Sequence, residues 1–318
     1  MSQKLAANAF RSVFKTVDKE TLHWFPGHMG KGLRKMQNKL KSVDCVIEVH
    51  DARIPLSGRN TDFKHTISGI KPHILVLNKV DLIPRKYLPQ IREKLSTDCE
   101  NIIFTNCKDH SCKGVKKLFP LAQELINQSD RFNRSNAEDY CIMIIGVPNV
   151  GKSSLVNSLR NKFLHKPNAT AVGANPGMTR SVLTKIKINE NPLFYMLDTP
   201  GILTPSVPNT EVGLKLALCA TIQDHLVGEE TIADYLLYWL NKHEMFKYVD
   251  VFKLKAATDD ILEVLAHIAI NNNKMLKFRD ITNGAYVRRP DLDAAAKLML
   301  QIFRNGGLGK IILDQNLL

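Results

Sequence analysis

The fold is decided by one short stretch, Gly146-Val147-Pro148-Asn149-Val150-Gly151-Lys152-Ser153. It follows an apolar run over residues 140–145 that predicts a strand, and it precedes a helix-compatible run over residues 152–163. Two glycines, a lysine and a hydroxyl residue at this spacing between a strand and a helix are typical of a phosphate-binding loop, or P-loop. We expect phosphates to contact its residues Asn149, Val150, Gly151, Lys152, Ser153 and Ser154.

The chemistry of this loop suits a nucleoside triphosphate. Glycines let backbone N–H groups turn toward phosphate oxygens, and the N-terminus of the following helix adds positive potential. Lys152 is placed to neutralise the β- and γ-phosphates, and the Ser153 hydroxyl is placed to bind Mg²⁺.

Composition is that of a soluble globular protein of two domains. The 318 residues are 44% hydrophobic and 24% charged, which excludes disordered and collagen-like chains. No apolar run approaches the roughly 20 residues that a membrane-spanning helix needs. The six cysteines form no Cys-x-x-Cys pair, which argues against a disulfide framework and a zinc site.

The chain carries 44 Lys and Arg against 31 Asp and Glu, a formal net charge of +13, which favours a polyanionic partner. Residues 1–41 hold nine basic and two acidic residues, and residues 274–310 hold eight and three. Over residues 1–22, basic and apolar side chains fall on opposite sides of a helical wheel. This segment is either an organelle transit segment or an ordinary amphipathic surface helix.

Strands and helices alternate over the first two thirds of the chain. Strands are predicted over residues 43–49, 73–77, 101–105, 140–145, 181–188 and 193–197, and helices over 59–67, 86–96, 114–127 and 152–163. This alternation predicts an α/β fold with a mostly parallel sheet and helices on both faces, in which the last two strands form an antiparallel hairpin. Helical periodicity dominates later, over 231–241, 259–270 and 291–303. We therefore predict a basic amphipathic segment at 1–22, a sheet domain at 23–204 and a helical domain at 205–318.

A second phosphate-side motif, Asp198-Thr199-Pro200-Gly201, closes an apolar strand. A carboxylate at such a strand end can hold Mg²⁺, so Asp198 is predicted as a metal-site residue, and the Gly201 N–H can reach the γ-phosphate. Between the two motifs, Pro176-Gly177-Met178-Thr179-Arg180 offers Thr179 as a further Mg²⁺ ligand. That segment is equally well interpreted as a turn ahead of a strand.

The base is indicated by Asn78-Lys79-Val80-Asp81, which follows the strand at 73–77. Guanine presents two adjacent donors that one carboxylate can accept, and adenine does not, so Asp81 favours GTP over ATP. Lys79 can lie along the base, and Asn78 can bind the base and join neighbouring loops. A third loop, Thr105-Asn106-Cys107-Lys108, is expected to cap the base through Asn106 and Cys107.

The order of these motifs is circularly permuted, since the base motifs precede the P-loop. Two further motifs are Trp24-Phe25-Pro26-Gly27-His28-Met29 and Asp51-Ala52-Arg53-Ile54-Pro55. With them, the sequence over about residues 22–310 resembles the circularly permuted GTPases of ribosome assembly, in the branch that matures the large subunit. The transit-like segment adds a similarity to the mitochondrial members of that branch.

The resemblance implies a P-loop GTPase that binds GTP or GDP with Mg²⁺, docks on the mitochondrial large ribosomal subunit and its rRNA, and acts in the assembly of that subunit and in mitochondrial translation. The GTP form is expected to dock, and hydrolysis is expected to release it. It implies a monomer in the matrix or peripherally on the matrix side of the inner membrane. Ile202 stands where other GTPases place a water-positioning glutamine, so hydrolysis is expected to be slow.

Further site residues follow from the resemblance alone. It implies K⁺ bound by Asn149, and His28 as a catalytic residue in ribosome-stimulated hydrolysis beside Lys152 and Thr179. We expect the rRNA to be held by basic residues around 31–41 and 274–310. Neutralising four of them is expected to weaken subunit binding and leave GTP affinity intact: Lys277, Arg279, Arg288 and Arg289.

Two other classes stay open at this point. One is a tRNA-modification or nucleotide-kinase enzyme that uses the P-loop for other chemistry, although no second substrate motif is present. The other is a scaffold that binds nucleotide without hydrolysing it, which Ile202 permits.

Overall fold

The structure is a computed structural model that describes residues 10–15, 36–59, 71–109, 111–166, 184–201, 209–279 and 286–318. It divides into two compact units. The sheet unit comprises His23–Gln223 and Lys310–Leu318, and the helical unit comprises Met1–Leu22 and Asp224–Gly309.

The sheet unit is built on six strands. They are β1 (Cys45–Asp51), β2 (His73–Asn78), β3 (Ile102–Phe104), β4 (Tyr140–Ile145), β5 (Thr184–Asn189) and β6 (Phe194–Asp198), in the spatial order β3-β2-β1-β4-β6-β5. All neighbouring pairs are parallel except β5 and β6, which are antiparallel. The predicted α/β architecture, with its hairpin at the edge, is confirmed.

The described helices of this unit are α1 (Leu88–Ser96), α2 (Lys113–Asn127), α3 (Lys152–Leu164) and α4 (Thr210–Leu218). The first three each connect successive strands, and α4 follows the last strand. The central strand β1 is buried along its whole length, as expected for a parallel strand with both faces covered. The helix predicted over residues 59–67 falls almost entirely outside the described residues.

Strand β1 runs two residues further than the sequence pattern predicts. The pattern ends at Val49, whereas the strand continues through His50 and Asp51, because Asp51 pairs with Asn78 of β2. The Ala52 N–H extends the ladder by donating to the Asn78 carbonyl at 2.8 Å. The extension brings Asp51 to the edge of the sheet where β2 also ends.

A charged cluster is buried within this sheet. The Glu48 carboxylate lies 2.6 Å from His50 Nε2 and 2.9 Å from His73 Nε2. Burial alone lowers the pKa of His73, but its hydrogen bonds with the Cys99 thiol and the Glu48 carboxylate outweigh burial and raise the pKa to about 9.

The contribution of His73 to the free energy of unfolding is therefore expected to be lost in alkaline solution. The pKa of His73 lies above its unfolded value near 6.5, so its contribution is complete below pH 6.5 and is lost as the pH rises through about 9. It amounts to about 3 kcal/mol at most. Burial lowers the pKa of Lys152 to about 8, which changes stability in the opposite sense above that pH.

The comparison that isolates His73 is between the wild type and His73→Gln. Chemical denaturation at several pH values from 6 to 10 should show a difference in unfolding free energy that shrinks toward high pH. A difference that is independent of pH would contradict the assignment.

The helical unit contains four described helices and one hairpin. The helices are α5 (Glu229–Lys242), α6 (Lys247–Phe252), α7 (Ile261–Asn271) and α8 (Leu292–Arg304), and the hairpin pairs β7 (Met275–Arg279) with β8 (Tyr286–Pro290). Helix α8 packs against α5 and α7. Asp260 and Asp291 cap the N-termini of α7 and α8 with their side chains. The long helices agree with the predicted helical periodicity. The hairpin was not predicted, because its strands carry basic residues in place of a buried apolar face.

Residues 10–15 pack on this helical unit. The Phe10 ring lies 5.7 Å from Phe246, and the Phe14 ring lies 5.3 Å from Tyr235. The amphipathic helix predicted over residues 1–22 is wrong for residues 10–15, which are not helical, and the apolar side chain of Val13 is 70% exposed. Aromatic anchoring to residues more than 200 positions away replaces local helical order.

The boundary between the units also differs from the predicted one near residue 205. Helix α4 belongs to the sheet unit, as does the C-terminal segment 310–318. The Ile311 N–H donates to the Leu82 carbonyl and the Leu313 N–H to the Arg53 carbonyl, both at 2.8 Å. The C-terminal residues therefore run beside the loops that follow β1 and β2.

Within the described ranges, no helix combines the length and the apolar character that a bilayer crossing requires.

Candidate nucleotide-binding site

The P-loop lies between β4 and α3, and its two glycines are required by geometry. Gly146 has φ +145°, and a Cβ there would lie 2.2 Å from the Val49 carbonyl of neighbouring β1. Gly151 has φ +101°, and a Cβ there would lie 2.2 Å from Asn78 Nδ2. The absence of side chains thus lets the loop approach both β1 and the Asn78 loop.

Lys152 begins α3 with its ammonium group beside the P-loop. Its Nζ donates to the Gly146 carbonyl at 3.1 Å and to the Val147 carbonyl at 2.9 Å. Burial lowers the pKa of Lys152 to about 8, and the Asp198 carboxylate opposes that shift only in part. A polyphosphate anion bound at this loop would favour the charged form of Lys152.

Ser153 and Asp198 come together as the sequence predicts. The Ser153 hydroxyl donates to Asp198 Oδ2 at 2.9 Å, while Oδ1 of the same carboxylate is buried with no hydrogen-bond partner in the part of the chain that the structure describes. Burial raises the pKa of Asp198. A hydroxyl and an unsatisfied carboxylate are oxygen donors of the kind that Mg²⁺ prefers, so these residues fit the ion.

The segment after Asp198 lies against the P-loop. The Thr199 hydroxyl donates to the Ile144 carbonyl of β4 at 2.6 Å. A Cβ on Gly201 would lie 2.5 Å from the Pro148 nitrogen. Only glycine permits this approach, which puts the Gly201 backbone beside the loop that receives the phosphates.

Asn78 joins three loops at the same edge of the sheet. Its Nδ2 donates to the Val150 carbonyl of the P-loop at 2.9 Å. Its Oδ1 accepts from the Thr105 hydroxyl and from the Cys107 N–H, both at 3.2 Å. One amide side chain therefore fixes the P-loop and the loop after β3 relative to the loop after β2.

Lys79 is held between the P-loop and the end of β1. Its Nζ donates to the Asn149 carbonyl at 2.7 Å and lies 2.9 Å from Asp51 Oδ2. Burial opposes the charge of Asp51, but the Arg53 guanidinium and the Lys79 ammonium hold the pKa of Asp51 well below its usual range. Arg53 reaches the same carboxylate at 2.7 Å.

Asp51 was not predicted as a site residue, although it lies in the motif of residues 51–55 that supports the family resemblance. A signal was available, because a polar residue at the end of β1 must lie next to the end of β2, where Lys79 follows. Each motif taken by itself does not show which strand ends are neighbours.

The other residues predicted to contact the base lie on the loops that follow β2 and β3. Asp81 is exposed and makes no ion pair among the described residues. Val80 donates its N–H to the Thr105 carbonyl at 3.1 Å. The Asn106 side chain accepts from the Lys108 N–H at 3.0 Å, which shapes the loop of Asn106 and Cys107.

Asn149 links the P-loop to the end of the sheet unit. It has φ +58°, and its Nδ2 donates to the Ala220 carbonyl at 2.8 Å. Ala220 lies four residues before Asp224, where the helical unit begins. Three other predicted residues, His28, Thr179 and Ile202, lie outside the described residues.

The chain matches known proteins along nearly its whole length. It is 59% identical to "Mitochondrial GTPase 1" of Aedes aegypti, with 98% of this chain and 99% of that protein aligned. It is 50% identical to "Mitochondrial ribosome-associated GTPase 1" of Bos taurus, with 98% and 93% aligned. Among solved structures, GNP-bound YlqF from T. maritima has the same fold with a TM-score of 0.55, at 21% identity, covering 89% of this chain and 97% of that one.

A family model described as a 50S ribosome-binding GTPase matches residues 141–276. The matched segment contains the P-loop and Asp198 but not Asn78 to Asp81, which come earlier in the chain. The base motif nevertheless lies beside the P-loop in the structure, as a circular permutation requires. The chain belongs to the mitochondrial ribosome-associated GTPase 1 family of circularly permuted, GTP-hydrolysing enzymes.

Proposed function

We propose that this GTPase docks on the mitochondrial large ribosomal subunit, contacts its rRNA and acts in its assembly, with the bound nucleotide controlling docking and release. The observation that carries the proposal is the convergence on Asn78, which joins the P-loop to the base loops at one sheet edge. The relatives named as mitochondrial ribosome-associated GTPases support the choice of partner.

The phosphate half of the site has a role for each polar residue. Lys152 neutralises the β- and γ-phosphates, and the Gly201 N–H faces the γ-phosphate. Ser153 and Asp198 would hold Mg²⁺, with Thr179 as a further ligand. Bound Mg²⁺ would supply positive charge where negative charge develops on the β-phosphate of the leaving group, GDP, while Lys152 and the loop N–H groups orient the phosphates.

The base half of the site selects guanine. Asp81 accepts from the two adjacent donors of the base, and Lys79 lies along the base plane. The Asp51 carboxylate keeps Lys79 in that position, since it lies 2.9 Å from the ammonium group. Asn106 and Cys107 cap the base from the third loop.

Hydrolysis is proposed to be slow in the isolated protein and faster on the ribosome. Ile202 has no group that can orient a water molecule. K⁺ bound by the amide oxygen of Asn149 would supply positive charge near the phosphates, since oxygen atoms are the ligands that hard cations take. His28 is proposed to act in the ribosome-stimulated reaction.

Asn149 also provides a route from nucleotide to docking. It is part of the P-loop, and it binds the Ala220 carbonyl immediately before the chain enters the helical unit. A change at the γ-phosphate that moves Asn149 would therefore move the segment that leads into that unit. We assign rRNA contact to the helical unit and to the basic residues around 31–41.

We place the protein in the mitochondrial matrix, as a monomer, with peripheral association with the inner membrane. The N-terminal segment is proposed to direct import and to remain in the mature protein from Phe10 onward. Arg11 reaches Asp234 at 2.7 Å and Asp259 at 2.9 Å, so cleavage beyond residue 10 would remove part of the folded helical unit.

Replacing Arg11 by Ala is expected to lower the free energy of unfolding by about 1–2 kcal/mol, because two partly buried carboxylates lose their partner. Lys15→Ala is the matched control, since Lys15 is exposed and the charge change is the same; it should stay within about 0.5 kcal/mol of wild type.

Peptide mass mapping of the protein from mitochondria should find residues 10–15. Their absence would refute retention.

Phosphate release from GTP tests the proposed function. We expect slow release by the protein alone, and faster release when isolated mitochondrial large subunits are added in K⁺ buffer rather than Na⁺ buffer. If subunits leave the rate unchanged in both buffers, the proposed coupling to the ribosome fails. Transfer of the phosphoryl group to another acceptor, instead of free phosphate, would favour a kinase.

A further inference from the structure

The β7–β8 hairpin of the helical unit has two chemically different faces. Residues opposite each other in an antiparallel pair share a face, and successive residues alternate between faces. Lys277 is paired with Arg288, and Arg279 with Tyr286, and the spacing of two puts both pairs on one face. Leu276, Val287 and Arg289 lie on the other. We call the first the Tyr286 face.

The Tyr286 face is unusual in its charge. Lys277 and Arg288 stand directly opposite each other, an arrangement of like charges that destabilises a strand pair. Strands β7 and β8 contain no acidic residue. Among the described residues, no carboxylate lies within ion-pair distance of Lys277, Arg279 or Arg288. Over residues 274–290 the sequence has five basic residues and one acidic residue. An external polyanion would relieve this repulsion.

Tyr286 is the second unusual feature. Its side chain is 76% exposed, so the ring contributes little to the core of the helical unit. Tyr286 is paired with Arg279 on the Tyr286 face. Proteins hold unpaired nucleotides with an exposed aromatic ring and neighbouring cations, because the ring stacks on a base while the cations hold the phosphates. Tyr286 and the basic residues of its face provide both.

We propose that the Tyr286 face binds a single-stranded segment of RNA, with one base stacked on Tyr286 and neighbouring phosphates held by Lys277, Arg279 and Arg288. The identity of that RNA as rRNA of the large subunit rests on the function proposed above. A duplex does not fit this chemistry, since its bases are already stacked on each other. An anionic membrane fits less well, because the exposed apolar residues Leu276 and Val287 lie on the other face.

The test uses the full-length protein and fluorescently labelled RNA of about 12 nucleotides, single-stranded or as a duplex, followed by fluorescence anisotropy. Tyr286→Ala should weaken single-strand binding roughly tenfold, and Tyr286→Phe, which keeps the ring, should stay within about twofold of wild type. Arg288→Ala should reduce the slope of log affinity against log salt by about 0.7. Arg85→Ala removes the same charge from an exposed position in the sheet unit and should change the slope less.

Three results would overturn the inference. In the first, Tyr286→Ala binds single-stranded RNA with the same affinity as the wild-type protein. In the second, the wild-type protein binds the duplex more tightly than the single strand. In the third, Tyr286→Ala loses affinity only for vesicles of phosphatidylcholine and cardiolipin. GTP turnover and large-subunit binding, measured on the same variants, separate the two proposals. If wild-type protein binds subunits and Tyr286→Ala leaves RNA binding unchanged, the stacking site alone fails; if wild-type protein binds no subunits, the proposed function fails.

Discussion

Replacing Asp81 by Asn is expected to lower affinity for GTP by about 10²- to 10⁴-fold. The carboxylate accepts from two adjacent donors of guanine, and a hydrogen bond to a charged group contributes about 1.5–3 kcal/mol. Asparagine keeps one acceptor and presents an NH₂ group to the second donor. Affinity for ATP should change little, so the preference for guanine should largely disappear.

The position of Asp81 makes this experiment clean. The side chain is exposed and has no ion pair among the described residues, so the thermal stability of Asp81→Asn should equal that of wild type. Glu100→Gln is the matched control, because Glu100 is also exposed in the sheet unit and its replacement removes the same charge. Calorimetric titration with GTP and ATP gives the answer, and an unchanged preference for GTP would refute the assignment of Asp81.

Replacing Asp314 by Ala is expected to destabilise the protein by about 3–5 kcal/mol. Asp314 is fully buried, and Oδ2 accepts from the Leu56 N–H at 2.9 Å and the Ser57 N–H at 2.8 Å. Oδ1 also accepts from the Ser57 hydroxyl and lies 3.5 Å from the ammonium group of buried Lys215. The substitution leaves two backbone donors and a buried cation without this partner.

The melting temperature should fall by roughly 10 °C in Asp314→Ala. Asp314→Asn keeps an acceptor for the Leu56 and Ser57 donors and should lose less. A loss below about 1 kcal/mol in Asp314→Ala would show that the C-terminal segment contributes little to the sheet unit. Because this segment also binds the Arg53 and Leu82 carbonyls, GTP affinity of the variant should be measured below its melting temperature.

Local patterns made much of the site predictable. The P-loop, the strand-end Asp198 and the Asn78 motif each combine a strand with a loop of fixed spacing, and a parallel sheet necessarily brings such strand ends to one edge. Thus the Ser153–Asp198 hydrogen bond and the meeting of Asn78 with the P-loop follow from sequence positions alone.

Contacts between distant segments were not predictable in this way. Asp314 binds residues more than 250 positions earlier in the chain, and Arg11 binds Asp259, 248 positions later. No periodicity or motif signals such a pair, because each partner is chemically ordinary in its own neighbourhood. For the same reason the domain boundary predicted near residue 205 differs from the observed one, and the return of residues 310–318 to the sheet unit was not predicted.

Docking on the large ribosomal subunit is proposed to depend on the bound nucleotide. Sedimentation of wild-type protein with isolated mitochondrial large subunits, in the presence of a non-hydrolysable GTP analogue or of GDP, measures this dependence. We expect the protein to sediment with the subunit in the GTP-analogue state and to bind at least about fivefold more weakly with GDP. Equal binding in the two states would contradict control of docking by the nucleotide.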